Sequence, residues 1–122
     1  MIRSKQAQLQ AALEELRRGP SGIKGALITT AEGLPVAHTF RSHDDAERVA
    51  AMAATALGLG SRLNTTLATG ALQEMSISGS LGQVYLYSTG RGALAVVAPG
   101  SMNLGVVHLQ ARQAAGRIAA IL

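Results

Sequence analysis

The stretch AMAATALGLG, Ala51–Gly60, lies in the middle of the longest helix that the sequence predicts, and it consists mostly of alanine and glycine. A glycine in a helix interior costs about 1 kcal/mol relative to alanine, so Gly58 and Gly60 need a reason to be there. Small side chains let a second backbone approach closely. The stretch therefore predicts a helix in close contact with another element.

The helix around this stretch is predicted to run from about Asp44 to about Ala68, and a step of about 100° per residue divides it into three sectors. Ser42 followed by Asp45 predicts its N-terminal cap. The first sector is large and apolar, is expected to pack on a sheet and contains Val49, Met52, Ala56, Leu59, Gly60, Leu63 and Leu67. The second consists mostly of small residues: Ala46, Ala50, Ala53, Ala54, Leu57, Ser61 and Asn64. The third is expected to be exposed and includes Glu47, Arg48, Ala51, Thr55, Gly58, Arg62, Thr65 and Thr66.

The rest of the chain predicts two more helices and five strands. Helical periodicity covers Arg3–Arg18 and Leu104–Leu122, and strands are expected at Ile23–Thr30, Leu34–Phe40, Ala71–Gly79, Val84–Thr89 and Ala93–Ala98. Gly33 suits a turn with positive φ, and Pro35 places its strand at a sheet edge. The order α-β-β-α-β-β-β-α predicts one α+β domain, residues 1–122, with a five-stranded, mainly antiparallel sheet.

The small-residue sector of the long helix has two interpretations. It could be a solvated alanine face, since alanine is a good helix former. Alternatively, it packs against a second helix with Leu57 as the central knob. If the two terminal helices share the other sheet face, this sector stays uncovered within the chain, and self-packing in a symmetric dimer would cover it.

The sequence contains little that could do chemistry. It has no cysteine and no phosphate-binding loop, and its serines lack the GxSxG context. We expect His38 on the surface of a strand, His43 near a helix cap and His108 half-buried on the last helix. The side chains of His38 and His43 need not converge. We therefore expect no enzyme activity, no cofactor and no metal site.

Charge and hydropathy exclude further classes. The net charge is +4 with an aromatic content of 2%, so base stacking is not supported and nucleic acid is not an expected partner. The basic start lacks the apolar segment of a signal peptide, and the longest apolar run, Val49–Gly60, is too short to span a membrane. A cytoplasmic protein without membrane insertion is expected.

Taken together, the pattern resembles the roadblock/dynein light chain family over nearly the whole chain. The matching segments are GIKGALITTAEGLPVA, the alanine-rich helix, GQVYLYSTGRGALAVVA and MNLGVVHLQARQAAGRI, in which NLG (Asn103–Gly105) is the most family-like string. The resemblance implies a profilin-like α/β/α sandwich, with the long helix on one face and the terminal helices on the other. It also implies dimers in which the long helices pair antiparallel and the third strands join the two sheets.

The resemblance further implies a non-catalytic regulator or scaffold of a small Ras-like GTPase, of the bacterial gliding-motility type, with a possible GTPase-activating role. We expect the homodimer interface to contain Ala46, Ala50, Ala53, Ala54, Leu57, Ser61 and Asn64 of the helix with Leu72, Glu74 and Ser76 of the third strand. The expected partner-binding residues are Arg48, Thr55, Gly58 and Arg62, with the two arginines roughly 21 Å apart along the helix axis. Two alternatives stay open: an assembly adaptor for a motor or sensor kinase that leaves nucleotide state unchanged, and a small-ligand sensor.

Overall fold

A computed structural model describes residues 4–20, 22–100 and 104–122 and confirms the predicted order of elements. Both the predicted start of the first helix, Arg3, and Asn103 of the NLG string lie outside the described residues. The elements are α1 (Lys5–Arg18), β1 (Gly25–Thr30), β2 (Pro35–His38), α2 (His43–Thr66), β3 (Glu74–Ser78), β4 (Gly82–Ser88), β5 (Gly92–Pro99) and α3 (Leu104–Ile121).

The five strands form one antiparallel sheet in the order β2-β1-β5-β4-β3. Strand β2 therefore lies at an edge, as Pro35 predicts, and β3 forms the other edge. The turn between β1 and β2 contains Gly33 at φ +92°, which confirms the positive φ expected there. The sheet brings the chain's first two strands beside its last strand and leaves β3 open on one side.

One face of the sheet is covered by α1 and α3. Their apolar stripes pack on alternate residues of the central strands, and the largest fully buried side chains of this layer are Leu9, Leu13, Ile28, Leu94, Val96, Val107 and Ile118. Exposed ion pairs join elements at the rim of this layer, such as Glu15 with Arg117 between the two helices. The placement of both terminal helices on one face agrees with the predicted sandwich.

The other face carries α2. Ser42 caps the helix, since its Oγ accepts a hydrogen bond from the Asp45 N–H at 3.2 Å, and Asp44 and Asp45 place negative charge at the positive end of the helix dipole. The helix contacts β1, β2, β5 and β4. Both the predicted cap and the predicted layer of α2 are therefore confirmed.

The predicted rotation of α2 about its axis is wrong by about a quarter turn. The small-residue sector supplies most of the side chains that face the sheet: Ala46 and Ala50 are fully buried and Ala53 is 4% exposed. Of the large apolar sector, Gly60 is buried as expected, and a Cβ there would lie 2.7 Å from Met75 Sδ of β3. The sheet supplies the bulk of this layer through Leu27, Leu86 and Ala95. Small residues on α2 let its backbone come so close that the Ala50 carbonyl accepts a hydrogen bond from the Thr29 hydroxyl at 3.4 Å.

None of the helices in the described ranges combines the length and the apolar character that a bilayer crossing requires.

Candidate interaction surface

The rotation of α2 changes which of the predicted interface residues can meet a partner. Ala46, Ala50 and Ala53 are buried against the sheet within the protomer. They cannot form a surface between two copies, so their assignment to a dimer interface is corrected. Their function is close packing of α2 on its own sheet.

The remaining members of the small-residue sector lie at the border of this packing. Ala54, Leu57 and Ser61 line a groove of about 210 Å³ together with Gly58 and Leu72. The groove is closed on its other side by the β1–β2 and β4–β5 turns, through Thr30, Ala31, Ser88, Gly90, Gly92 and Ala93. The structure thus brings together five of the predicted site residues, but in a shallow groove rather than on one flat face.

Asn64 has a local function at the end of α2. Its side-chain Oδ1 accepts a hydrogen bond from the Thr69 hydroxyl at 2.9 Å, and its carbonyl accepts one from the Thr69 N–H at 2.9 Å. Together these bonds fix the turn that follows the helix.

The four largest side chains of the large apolar sector, expected in the core, point away from the sheet, whereas Val49 and Ala56 are partly buried. Met52, Leu59, Leu63 and Leu67 are 63%, 59%, 54% and 67% exposed, and Ile77 of β3 is 50% exposed. We call these five residues the apolar face. Large exposed apolar patches are uncommon on monomeric proteins and mark interaction sites.

An apolar groove continues this face toward the sheet. It has a volume of about 230 Å³ and lies between α2 and β3, β4 and β5, lined by Val49, Met52, Ala53, Ala56, Ile77, Val84, Leu86, Ala95 and Val97. α2 contacts β1, β2, β5 and β4 along its length and meets β3 at Gly60, where a Cβ would lie 2.7 Å from Met75 Sδ. The groove lies on the Met52 side of α2, where Val49 and Ala56 are only partly buried. The apolar face and this groove form one continuous hydrophobic surface.

The side chains of Glu74 and Ser76 lie on the opposite face of the sheet. They pair with Tyr87 and Tyr85, which belong to the core under α1 and α3. Glu74 also accepts hydrogen bonds from Arg112 of α3, at 3.0 Å from Nε to Oε2, and this guanidinium lowers the pKa of the Glu74 carboxyl. These two side chains therefore cannot share an interface with the apolar face, and only the β3 backbone could join them to it.

A polar strip runs beside the apolar face on α2. Arg48, Thr55, Gly58 and Arg62, the predicted partner-binding residues, are all exposed. The Thr55 hydroxyl donates to the Ala51 carbonyl of the same helix at 2.9 Å, and a Cβ built on Gly58 would meet no atom within 4 Å. Within the described part of the chain, neither arginine is in an ion pair, so both guanidinium groups are available to an acidic or phosphorylated partner.

The sequence left open whether the side chains of His38 and His43 converge. In the structure the two rings converge, with centroids 5.8 Å apart. The Phe40 N–H donates to His38 Nδ1 at 3.1 Å, which occupies one ring nitrogen. In the described ranges, no group of three or more histidine, aspartate or glutamate side chains is arranged to hold a metal ion.

His108 is half-buried, as expected, and lies between two tyrosines. Its Nδ1 is 2.8 Å from the Tyr87 hydroxyl, and its ring meets that of Tyr85 edge-on with centroids 4.4 Å apart. Burial raises the pKa of Tyr87. This cluster packs α3 against β4.

Comparison with known proteins identifies the family to which this chain is similar. The model of the Roadblock/LC7 domain matches residues 9–98. An uncharacterised protein of Methanocaldococcus jannaschii is 30% identical over 95% of this chain and 98% of its own length. A Roadblock/LC7 domain from Streptomyces avermitilis is 29% identical, with a TM-score of 0.64 over 88% of this chain and 95% of that chain.

The fold is shared with a further solved structure at lower identity. MglB of Myxococcus xanthus superposes with a TM-score of 0.89 at 17% identity, covering 99% of this chain and 92% of that chain. The family model spans both faces of the sheet, from within α1 to the end of β5, and thus includes the whole of α2. The chain belongs to the Roadblock/LC7 domain family.

Proposed function

We propose that this protein is a non-catalytic, homodimeric regulator or scaffold of a small Ras-like GTPase and acts in the cytoplasm. The observation that carries the proposal is the uncovered apolar face of α2 in a chain of the Roadblock/LC7 family. The partner class comes from the family resemblance drawn from the sequence. The similarity in fold to MglB is consistent with it.

The proposed homodimer is formed through the apolar face. An antiparallel pairing of two α2 helices, with the two-fold axis passing beside Leu59, places Met52 opposite Leu67 of the partner subunit, the residue that caps α2. The same pairing places Leu63 opposite Ala56 of the partner subunit, so a large side chain meets a small one. This self-complementarity is what a two-fold interface requires.

The open edge of β3 supports the same arrangement. Backbone groups on an unpaired edge strand are available to a further strand, and β3 borders the apolar groove through Ile77. Joining two β3 strands would extend the sheet across the dimer while the α2 helices cover each other. The dimer interface therefore contains the apolar face, Met52, Leu59, Leu63, Leu67 and Ile77, in place of the small-residue sector.

The proposed GTPase-docking surface is the polar strip beside that interface. Since the strip borders the apolar face, a two-fold pair brings two copies of Arg48 and Arg62 near the joined helices. An arginine that reached the transferring phosphate would accelerate hydrolysis as an arginine finger does. An arginine that only docks the partner would affect binding and not the rate at saturation.

The test is GTP hydrolysis and nucleotide exchange by a small GTPase encoded beside this protein, with and without the protein. We expect a change in one of these rates that the double variant Arg48→Ala/Arg62→Ala loses. Arg91→Ala, an exposed arginine in the β4–β5 turn, is the matched control. A GTPase that neither binds nor responds would remove the main support for regulation.

The second candidate, an assembly adaptor, uses the same surfaces. It predicts a stable complex with the partner in size-exclusion chromatography and unchanged hydrolysis and exchange. The small-ligand sensor would need an enclosed polar cavity, and the groove beside Gly58 is small, with Thr30, Ser61 and Ser88 as its polar side chains. We therefore place regulation first and adaptor function second.

A further inference from the structure

The free edge of β2 is occupied by two side chains of α1. In an antiparallel pair, alternate residues direct their N–H and C=O groups to the neighbouring strand and the others direct them outward. The Thr39 N–H bonds to the Ala26 carbonyl at 3.0 Å, so His38 directs its backbone groups outward. Val36 has no partner on β1, because the register between the two strands shifts there. Gln6 Nε2 donates to the Val36 carbonyl at 2.6 Å, and Gln10 Nε2 donates to the His38 carbonyl at 2.9 Å.

The spacing of the two glutamines matches the strand they cover. Four residues of helix rise about 6 Å, and two residues of strand advance about 6.7 Å. A pair of glutamines at positions i and i+4 can therefore reach successive outward carbonyls of one strand. A further strand would need these same two carbonyls as acceptors.

The opposite edge of the sheet has no such cover. The Ser88 N–H donates to the Gln73 carbonyl and the Gly79 N–H donates to the Gly82 carbonyl. The odd-numbered residues of β3 therefore direct their backbone N–H and C=O groups toward β4. The outward residues are Glu74, Ser76 and Ser78. Among the hydrogen bonds found in the described ranges, none goes from a side chain to the backbone carbonyls of these three residues.

We propose that Gln6 and Gln10 are an edge lock that prevents a second copy of this chain from adding to the sheet at β2. The proposal rests on the proposed function in one respect, that a second copy pairs on the α2 and β3 side. Two different two-fold contacts on one protomer, one at each sheet edge, would generate an open ribbon rather than a closed pair. With the β2 edge locked, association ends at the dimer.

The test compares self-association of glutamine variants by sedimentation velocity over a range of concentrations. Gln6→Met/Gln10→Met removes both donors and keeps helix propensity and side-chain length, and Gln6→Ala/Gln10→Ala does so without added apolar surface. Gln113→Met, at an exposed position of α3, controls for the stickiness of methionine. A third variant adds His38→Pro to the alanine pair, because proline removes an outward N–H and blocks strand addition.

If the glutamines block the edge, the weight-average mass of both double variants should rise with protein concentration by about two-fold or more, because their β2 edge is exposed. The weight-average mass of the wild type, of Gln113→Met and of the variant with His38→Pro should not rise in this way. Growth that persists with His38→Pro, growth of the methionine pair alone, or no growth in either folded double variant would overturn the proposal. Loss of the helical circular dichroism signal in both pairs would also overturn it, since the glutamines would then be needed for the fold itself.

The same experiment separates this proposal from the dimer. A wild type that sediments as a monomer refutes the homodimer, and glutamine variants that then associate still support the lock. A wild-type dimer whose glutamine variants remain dimers refutes the lock and leaves the homodimer standing.

Discussion

Replacing Leu59 with alanine tests the proposed interface at its centre. Leu59 is 59% exposed in the protomer, so its truncation removes little from the folded core. Full burial of a leucine side chain is worth about 1.5–3 kcal/mol, and covering the exposed part is accordingly worth about 1–2 kcal/mol. Because a two-fold interface contains each residue twice and alanine keeps one methyl group, we expect a loss of about 1.5–3 kcal/mol per dimer.

That loss corresponds to a dimer dissociation constant raised about ten-fold to more than a hundred-fold. Sedimentation equilibrium of wild type and variant measures the constant directly. Circular dichroism and thermal unfolding of each variant check that the protomer is intact. Leu109→Ala is the matched control, since Leu109 is 57% exposed but lies on α3, on the opposite side of the sheet.

An unchanged dissociation constant for Leu59→Ala would refute the apolar face as the interface. An equal loss for Leu109→Ala would refute it as well, because the effect would then report exposed leucine in general. Disruption by Ala54→Arg with no effect of Leu59→Ala would return the interface to the small-residue sector.

Three further predictions concern single positions. Arg112→Gln should raise the pKa of Glu74 toward its ordinary value, as followed by NMR titration. Because Arg112 lowers the pKa of Glu74 in the folded protein, the wild type should be more stable than the variant at neutral pH. This stability difference should disappear as the pH falls through the folded-state pKa of Glu74. Gly58→Ala should raise the thermal midpoint, because its Cβ meets no atom within 4 Å and the helix gains up to about 1 kcal/mol. Gly92→Ala should lower the free energy of unfolding by about 3 kcal/mol or more, measured by urea denaturation, because its Cβ would lie 2.0 Å from the backbone oxygen of Thr29.

Most of the fold could be predicted from the sequence because its signals are local. Turn glycines and the Ser42 cap mark where elements begin and end. The stripe of α3 repeats at helical spacing, and its members Val107, Ala111 and Ile118 are all fully buried. Pro35 marks an edge strand for a reason that needs no tertiary information: it cannot donate to a ladder. Element order then restricts the topology to few arrangements.

The convergence of His38 and His43 could not be predicted, because it depends on the path of a four-residue connection rather than on periodicity. The bonds of Gln6 and Gln10 to β2 depend in the same way on how α1 crosses the sheet. A glutamine pair at i and i+4 on a helix is too common a pattern to indicate an edge cap by itself.

The prediction of the orientation of α2 was wrong for a different physical reason. Assigning the most hydrophobic sector to the core assumes that the chain buries its largest side chains within itself. The sheet face under α2 already carries Leu27 and Leu86, so a helix that presented leucines to it would stand too far away to bond through Thr29. Small residues fit that layer, and the leucines left outside remain exposed. Their exposure is the physical reason to expect a second protomer. These leucines, which the sequence assigned to the core, mark where that protomer should bind.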